Sequence, residues 1–564
     1  MTMQRTWMAL SILFASFPCS QAAPTPRPLE TLYPGLQSIR TATNALVCLI
    51  DTEHPDEVRR QIGDRAPRYH WLERVRLCIE LEVAGLPCFI AHASMLSPED
   101  LARPTVKAVV VYGRNKRTSA SDDAQLFSLM RECRAPMLCL GGAMGLIVTA
   151  HGGKYGNIRP LEPGEKDPDP SYAPGMFKEL GFTAVRVFEP DPIFKGVDDP
   201  FIVMERHTSE VKELPAEFKM LASTEACRVQ ACRHREKLVY GLQFAADRFD
   251  EGYTDGRRIL QNFFDIAGID TDRCLAASRE AFRESKRPLV RRVCQDPSAM
   301  RAMPTPFVAV IDMEDPGIVG STERRTTSSI SHAEKIERLR QRIEGELAGL
   351  PCVVIHYMEV LQEDFLNPRM RAIVITGAAS PTVQPLTRDL FAVIREARVP
   401  ILGLCAGHQH IAKAHGIGSS SMRKLRDGEK DPNPNYHPGL FKEWSFLPIR
   451  ILKRDPLFEG LPDTIVAQEY HVAEVKSLPE GFDLLASTED CEIQAFRRRD
   501  RPVYGTQFHG ECYDDAHPDG RRVLQNFFRI AAEAQGNGSA SIHGKDPRPE
   551  RLFTSDVADF RRCP

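Results

Sequence analysis

Cys405, His509 and Glu511 are the side chains in this 564-residue sequence whose types and spacing could do covalent chemistry. Cys405 lies in Gly403-Leu404-Cys405-Ala406-Gly407-His408-Gln409, with a glycine two residues away on either side. That is the spacing of a nucleophile elbow, a strand-to-helix turn in which small neighbours let the backbone project one side chain above a sheet. A helix starting at Ala406 would offer a dipole that favours a thiolate and unpaired N–H groups able to hold a developing oxyanion. An inert buried thiol in a glycine-bearing turn would have the same local sequence. His509 and Glu511 stand two residues apart in 503–511, which reads as an extended run. Period-two geometry then puts both on one face, where the carboxylate can orient the imidazole toward the thiol.

The elements that must position these groups follow from the apolar pattern. Short apolar runs predict strands at 307–312, 352–356, 372–376 and 400–404, and amphipathic stretches predict helices at 330–347, 386–397 and 406–415. Alternation of this kind indicates a mostly parallel sheet covered by helices. Ligands of such sheets sit at the carboxyl ends of the strands, so Gly377 and Cys405 should both face the site.

The whole pattern occurs twice. Gly85-Leu86-Pro87-Cys88 returns as Gly349-Leu350-Pro351-Cys352, and Tyr172-Ala173-Pro174-Gly175 as Tyr436-His437-Pro438-Gly439, both at an offset of 264. Between 241–265 and 505–529, 13 of 25 aligned positions are identical, which marks a duplication. The copies differ where chemistry would occur. Gly141 stands at the position of Cys405, Ala245 at that of His509 and Asp247 at that of Glu511. With neither thiol nor imidazole, the first half lacks nucleophilic catalysis of this type. His207 and Gln243, aligned with His471 and Gln507, persist, and structural residues of a duplicated fold are the default reading.

Composition fits two ordinary globular domains, with 42% hydrophobic and 26% charged residues and a net charge of -3. No basic patch for nucleic acid is indicated. After the amino terminus no apolar run approaches the roughly 20 residues of a membrane helix. Arg5, the apolar run 7–17 and Ser20-Gln21-Ala22-Ala23 predict a secretory signal peptide, cleaved after Ala22 or Ala23, and hence a secreted or periplasmic protein; a cytoplasmic location is the alternative. The expected organisation is a signal peptide (1–22), a linker (23–43), a degenerate domain (44–270), a charged connector with one helix (271–305), an active domain (306–534) and a polar, disordered tail (535–564). Cys88, Cys352, Cys227 and Cys491 repeat between the halves and read as buried free thiols, although a bridge within each half has the same count. No His/Cys/Asp cluster has metal-ligand spacing, so neither metal nor cofactor is implied.

With these residues in view, 306–532 resembles the class I, triad-type glutamine amidotransferase family. Gly-x-Cys-x-Gly-His-Gln, the closing Gln-Phe-His-x-Glu, and Gln468-Glu469-Tyr470-His471 with Leu478-Pro479-Glu480-Gly481-Phe482 carry the resemblance. It implies two tandem flavodoxin-like, class I amidotransferase-like α/β domains. It further implies Cys405 as nucleophile, His509 as general base and acid, Glu511 as its orienter, and Gly377 and Ala406 N–H groups as the oxyanion hole. Gln409 and His471 are the expected substrate-binding residues. The implied reaction is hydrolysis of the side-chain amide of glutamine or a γ-glutamyl compound through a glutamyl thioester. An ammonia-donating subunit for a separate synthase and a non-catalytic scaffold are the alternatives. No ATP-handling motif accompanies the domain, and export would favour a free-standing hydrolase. Two departures stand out: Gly510 replaces the family's usual proline, and the glycine-rich loop is reduced to Gly377-Ala378-Ala379-Ser380-Pro381. The polar stretch 428–436, with its twin at 164–172, has no match in the family pattern and reads as a fold-supporting loop.

Overall fold

A computed structural model describes residues 32–53, 58, 67–113, 120–170, 172–321, 330–379 and 386–536. The expected signal peptide, residues Ser380 and Pro381, and all but the first two residues of the expected tail lie outside them. Each half is built on a nine-stranded sheet, and the two sheets have the same strand order. In the second half the order begins Cys352–His356, Phe307–Asp312, Met370–Ile375, Ile401–Leu404 and Val503–Thr506, all parallel. It continues antiparallel through Ala495–Arg498, Phe482–Ser487, Glu443–Ile451 and Thr464–His471.

Phe307–Asp312 is buried along its whole length, and its side chains feed two cores by alternation. Val308 and Val310 pack with Val523 and Phe527 on one face, while Ala309 and Ile311 pack with Leu390 and Ile394 on the other. A strand covered on both faces has no polar side to show, hence its nearly unbroken apolar run. The helix His332–Arg342 starts with a reciprocal cap: Ser331 Oγ accepts from the Glu334 N–H at 3.3 Å, and the Glu334 carboxylate accepts from the Ser331 N–H at 2.6 Å. The repeated Gln-Asn-Phe-Phe also has a physical basis. In the closing helix Asp519–Gly536 the two phenylalanines are buried, and Asn526 Nδ2 donates to the carbonyls of Leu457 and Glu459, each at 2.9 Å. Asn262 makes the twin bonds to Ile193 and Lys195.

The segments read as linkers carry more structure than expected. Within 23–43, Gly35–Thr41 is a helix whose Leu36 and Ile39 are buried in the first half's core, because two apolar residues at helical spacing suffice to dock it. The connector 271–305 holds two helices, Thr271–Val290 and Ser298–Ala302. Its Arg279 Nε donates to the Leu81 carbonyl of the first half and its Arg283 Nε to the Met358 carbonyl of the second. Arg388 Nη2 and Glu82 Oε2 pair directly between the halves at 2.6 Å. The polar loop 428–436 is anchored by Asp431, which accepts from the buried Lys442 ammonium at 2.6 Å, and its twin uses Asp167 and Lys178. Cys88, Cys227, Cys352 and Cys491 are buried free thiols. No helix among the described residues is long and apolar enough to cross a membrane.

Candidate active site

Ile401–Leu404 delivers Cys405 to the N-terminus of the helix Ala406–Ala414. Cys405 has φ 49° and ψ −103°, a left-handed backbone that costs a side-chain-bearing residue about 1–3 kcal/mol. Glycines make the turn sterically accessible. A Cβ on Gly403 would lie 2.5 Å from the Gly407 carbonyl, and one on Gly407 would lie 2.3 Å from the Ile375 carbonyl oxygen. Turn and helix therefore close onto the neighbouring strand, leaving Cys405 only 6% exposed.

The strand before His509 stops at Thr506, because Leu404 and Ala495, its last partners on either side, both pair there. The expected extended run to Glu511 is thus corrected: Gly510–Cys512 form a 3-10 turn. That turn still folds the carboxylate back, placing Glu511 Oε1 2.7 Å from His509 Nδ1. The His509 N–H donates to the Gln468 carbonyl at 2.8 Å, which ties the turn to the strand Thr464–His471. Burial alone would depress the His509 imidazole, but the Glu511 carboxylate and the Cys405 sulfur, within hydrogen-bonding reach, hold it well above its ordinary value. Burial acts against the Glu511 charge as well, and His509 outweighs it, leaving that carboxyl below its usual range.

Gly377 follows the strand Met370–Ile375 and borders both reactive groups. A Cβ there would lie 2.8 Å from His509 Cε1 and 3.3 Å from Cys405 Cβ, so only glycine fits. Gly377 and Ala406, the first residue of the elbow helix, both flank Cys405. Two residues escaped the sequence reading as parts of the site. Glu314 Oε2 accepts from the Ala379 N–H at 2.9 Å and anchors the loop after Gly377; its signal was the Asp-x-Glu that ends the first strand in both halves. Gln507 Nε2 lies 3.5 Å from Cys405 Sγ, and its place beside Phe508 and His509 in the closing motif was the available signal.

Gln409 Nε2 donates to Gln507 Oε1 at 3.1 Å and to the Ala473 carbonyl at 3.0 Å. One amide hydrogen positions Gln507 and the other ties Gln409, the expected substrate-binding residue, to the strand Ala473–Val475. His471 is corrected more fully. It is 3% exposed, with Nδ1 against the Ala473 carbonyl and Nε2 at 2.9 Å from Glu443 and 3.2 Å from Glu469. The cause is strand pairing, which sets Glu443 opposite His471. Against burial, Glu443 and Glu469 push His471 up to about 10. Its twin, His207 between Glu179 and Glu205, makes the same buried set in the half without nucleophile or base.

Folding also gathers side chains that the sequence keeps apart, and four sets among the described residues could hold a cation, including His509, Glu511 and Cys512. The sequence reading missed them because members of three of the sets come from distant elements; in the His509 set, imidazole and carboxylate are already bonded to each other. At the rim, Tyr470 lies 5.8 Å from the His509 ring and Trp444 4.9 Å from Tyr470, centroid to centroid.

The family model "Glutamine amidotransferase class-I" matches residues 91–264 and 344–531. Among curated proteins, a glutamine-hydrolysing GMP synthase subunit of Pyrococcus abyssi is 40% identical over 138 residues, 24% of this chain and 63% of that protein, so under two thirds of its length is spanned. The corresponding protein of Methanopyrus kandleri is 29% identical over 204 residues, 36% of this chain and 96% of its own. A solved glutamine amidotransferase from Methylobacillus flagellatus aligns with 16% identity and a TM-score of 0.28, covering 44% of this chain and all of that one.

Proposed function

Because the chain belongs to the class I glutamine amidotransferase family and carries two copies of its domain, we propose that the second copy hydrolyses the side-chain amide of glutamine or of a γ-glutamyl compound. One observation carries the reading: the His509–Glu511 pair lies against the strained Cys405 elbow, with Gly377 wedged between them. The Cys405 thiolate attacks the amide carbonyl carbon, and the oxygen's developing charge falls to the N–H groups of Gly377 and Ala406. The Gln507 amide, 3.5 Å from the sulfur, steadies the thiolate before attack. His509 gives its proton to the departing nitrogen, so ammonia or an amine leaves and a thioester remains. Water then adds to the thioester as His509 takes its proton, and collapse releases glutamate and the thiolate. Glu511 supports the imidazolium throughout.

The direct test is glutamate release from glutamine and γ-glutamyl peptides by purified protein lacking residues 1–22. A folded protein that releases none from any of them removes the hydrolase reading. A second reading, an ammonia donor for a separate synthase, is favoured by the relatives described as GMP synthase subunits. It expects weak glutaminase activity alone and strong activity with a partner. Export by a signal peptide over 1–22 belongs to the first reading, and amino-terminal sequencing of the mature protein checks it.

A further inference from the structure

The first half keeps the elbow without its sulfur. Gly141 has φ 58° and ψ −124°, and its N–H donates to the Leu242 carbonyl at 2.8 Å, as the Cys405 N–H does to Thr506. It precedes the helix Gly142–Ala150, whose first N–H groups have no partner within the helix. A Cβ on Gly141 would meet nothing within 4 Å, so the nucleophile's place is open space.

Gln243 is the counterpart of the glutamine beside Cys405. It is 2% exposed and stands where Gln507 stands in the second half. Its Oε1 accepts from the Tyr155 hydroxyl at 3.0 Å, replacing the Gln409 bond. Its Nε2, counterpart of the nitrogen beside Cys405 Sγ, is buried with no partner. With no sulfur at 141 this donor lacks the partner its counterpart has, and buried donors are seldom left so.

Two arginines of this half stand where the second half has none. Arg206 occupies the position of Tyr470 and Arg248 that of Cys512. Arg248 stacks on Trp71, its guanidinium carbon 3.9 Å from the ring centroid, and its Nε is buried and unpartnered. Burial, and the neighbouring Arg74 and Arg206, hold its guanidinium below the ordinary value despite Tyr112 and Asp247. Asp247, in the place of Glu511, pairs with Arg74 and leaves one carboxylate among three guanidiniums. The unpaired Asp247 Oδ1 has a twin in Glu511 Oε2, so it belongs to both halves and not to the emptied site.

We infer that the first half binds a small oxyanion, of carboxylate or phosphate type, in the space left by the missing nucleophile and base. The N-terminal N–H groups of Gly142–Ala150, the Gln243 amide and the Arg248 guanidinium hold it. Without thiol or imidazole the ligand is bound and not turned over. This stands apart from the hydrolase reading, because none of its residues lies in the second half.

The test is calorimetric titration of the full chain carrying Cys405→Ala with L-glutamate, acetate and inorganic phosphate in separate arms. The expected result is saturable binding in at least one arm, weakened about tenfold or more by Arg248→Gln and by Gln243→Leu. Saturation by glutamate or acetate that Arg248→Gln or Gln243→Leu weakens assigns a carboxylate, and such saturation by phosphate alone assigns a phosphate. Tryptophan emission should change on binding and cease to respond in Trp71→Phe. Arg206 is exposed, so Arg206→Gln tests the charge without disturbing the core and should also weaken binding. No saturable binding in any arm, or binding indifferent to all three arginine and glutamine variants, overturns the inference.

Discussion

His509 Nδ1 and Glu511 Oε1 lie 2.7 Å apart within a single 3-10 turn, so ring and carboxylate are carried by one rigid piece of backbone. Replacing Glu511 by Gln keeps the shape and removes the charge. By analogy with the orienting acid of other triads, kcat should fall roughly 10²- to 10⁴-fold. Glu511 opposes the burial that would otherwise depress His509. The alkaline limb of the kcat/KM profile, where the imidazolium loses its proton, should therefore move to lower pH in Glu511→Gln. An unmoved limb would detach Glu511 from the chemistry.

The two halves make opposite predictions for their cysteines. Cys405→Ser should reduce glutamate release by at least about 10³-fold, since no other nucleophile stands at the elbow. Cys139, buried in the strand Met137–Leu140, aligns with Gly403 and not with the nucleophile, so Cys139→Ser should leave turnover within about twofold while lowering stability by about 1–3 kcal/mol. Labelling with a glutamine-analogue electrophile, read by peptide mass spectrometry, should modify Cys405 alone. Comparable losses in both variants would reverse the assignment of the halves.

Gly377→Ala tests the contact between backbone and catalytic groups. The new methyl would sit 2.8 Å from His509 Cε1, a distance that forces the ring aside. A drop of about 10²-fold in kcat with a nearly unchanged KM is expected, because a displacement of this size at a reacting group costs that much. Thermal unfolding should change little.

The buried Glu–His–Glu sets make stability fall as pH rises. His471 is pushed up to about 10, and the same arrangement pushes His207 up to about 9, against burial in both cases. An unfolded histidine titrates near 6.5, so the folded chain holds these protons more tightly. Their contribution is complete below about pH 6.5 and is lost as pH climbs through about 9 to 10. Glu205, raised by burial to about 7, acts in the same sense at lower pH. The Tm should decline between pH 7 and pH 10, and His471→Gln should lower the Tm at pH 7 and flatten that decline. A Tm that rises over this range would contradict the arrangement.

Much of the fold was legible because its signals are local. The apolar run of Phe307–Asp312 gave its exact limits, and the offset of 264 announced two copies before any contact was known. The approach of Cys405 and His509 was legible through Gly403, Gly407 and the closing motif. What was hidden depended on partners distant in sequence. Glu511 reads as strand until its neighbours are seen to end at Leu404 and Ala495. His471 reads as a ligand contact until Glu443, 28 residues away, is seen to pair across from it. The helix Gly35–Thr41 rests on only two buried apolar side chains, too few to stand out in a proline-rich stretch.

The backbone at Gly141 has a consequence for descent. Its φ of 58° costs glycine nothing, whereas the same turn strains Cys405. Putting a cysteine back at 141 would restore the strain at once, yet confer no turnover until Ala245 also became histidine. A cysteine at 141 alone would thus carry the strain with no return. The elbow backbone is thus cheaper to keep in the half that has no side chain there than in the half that does.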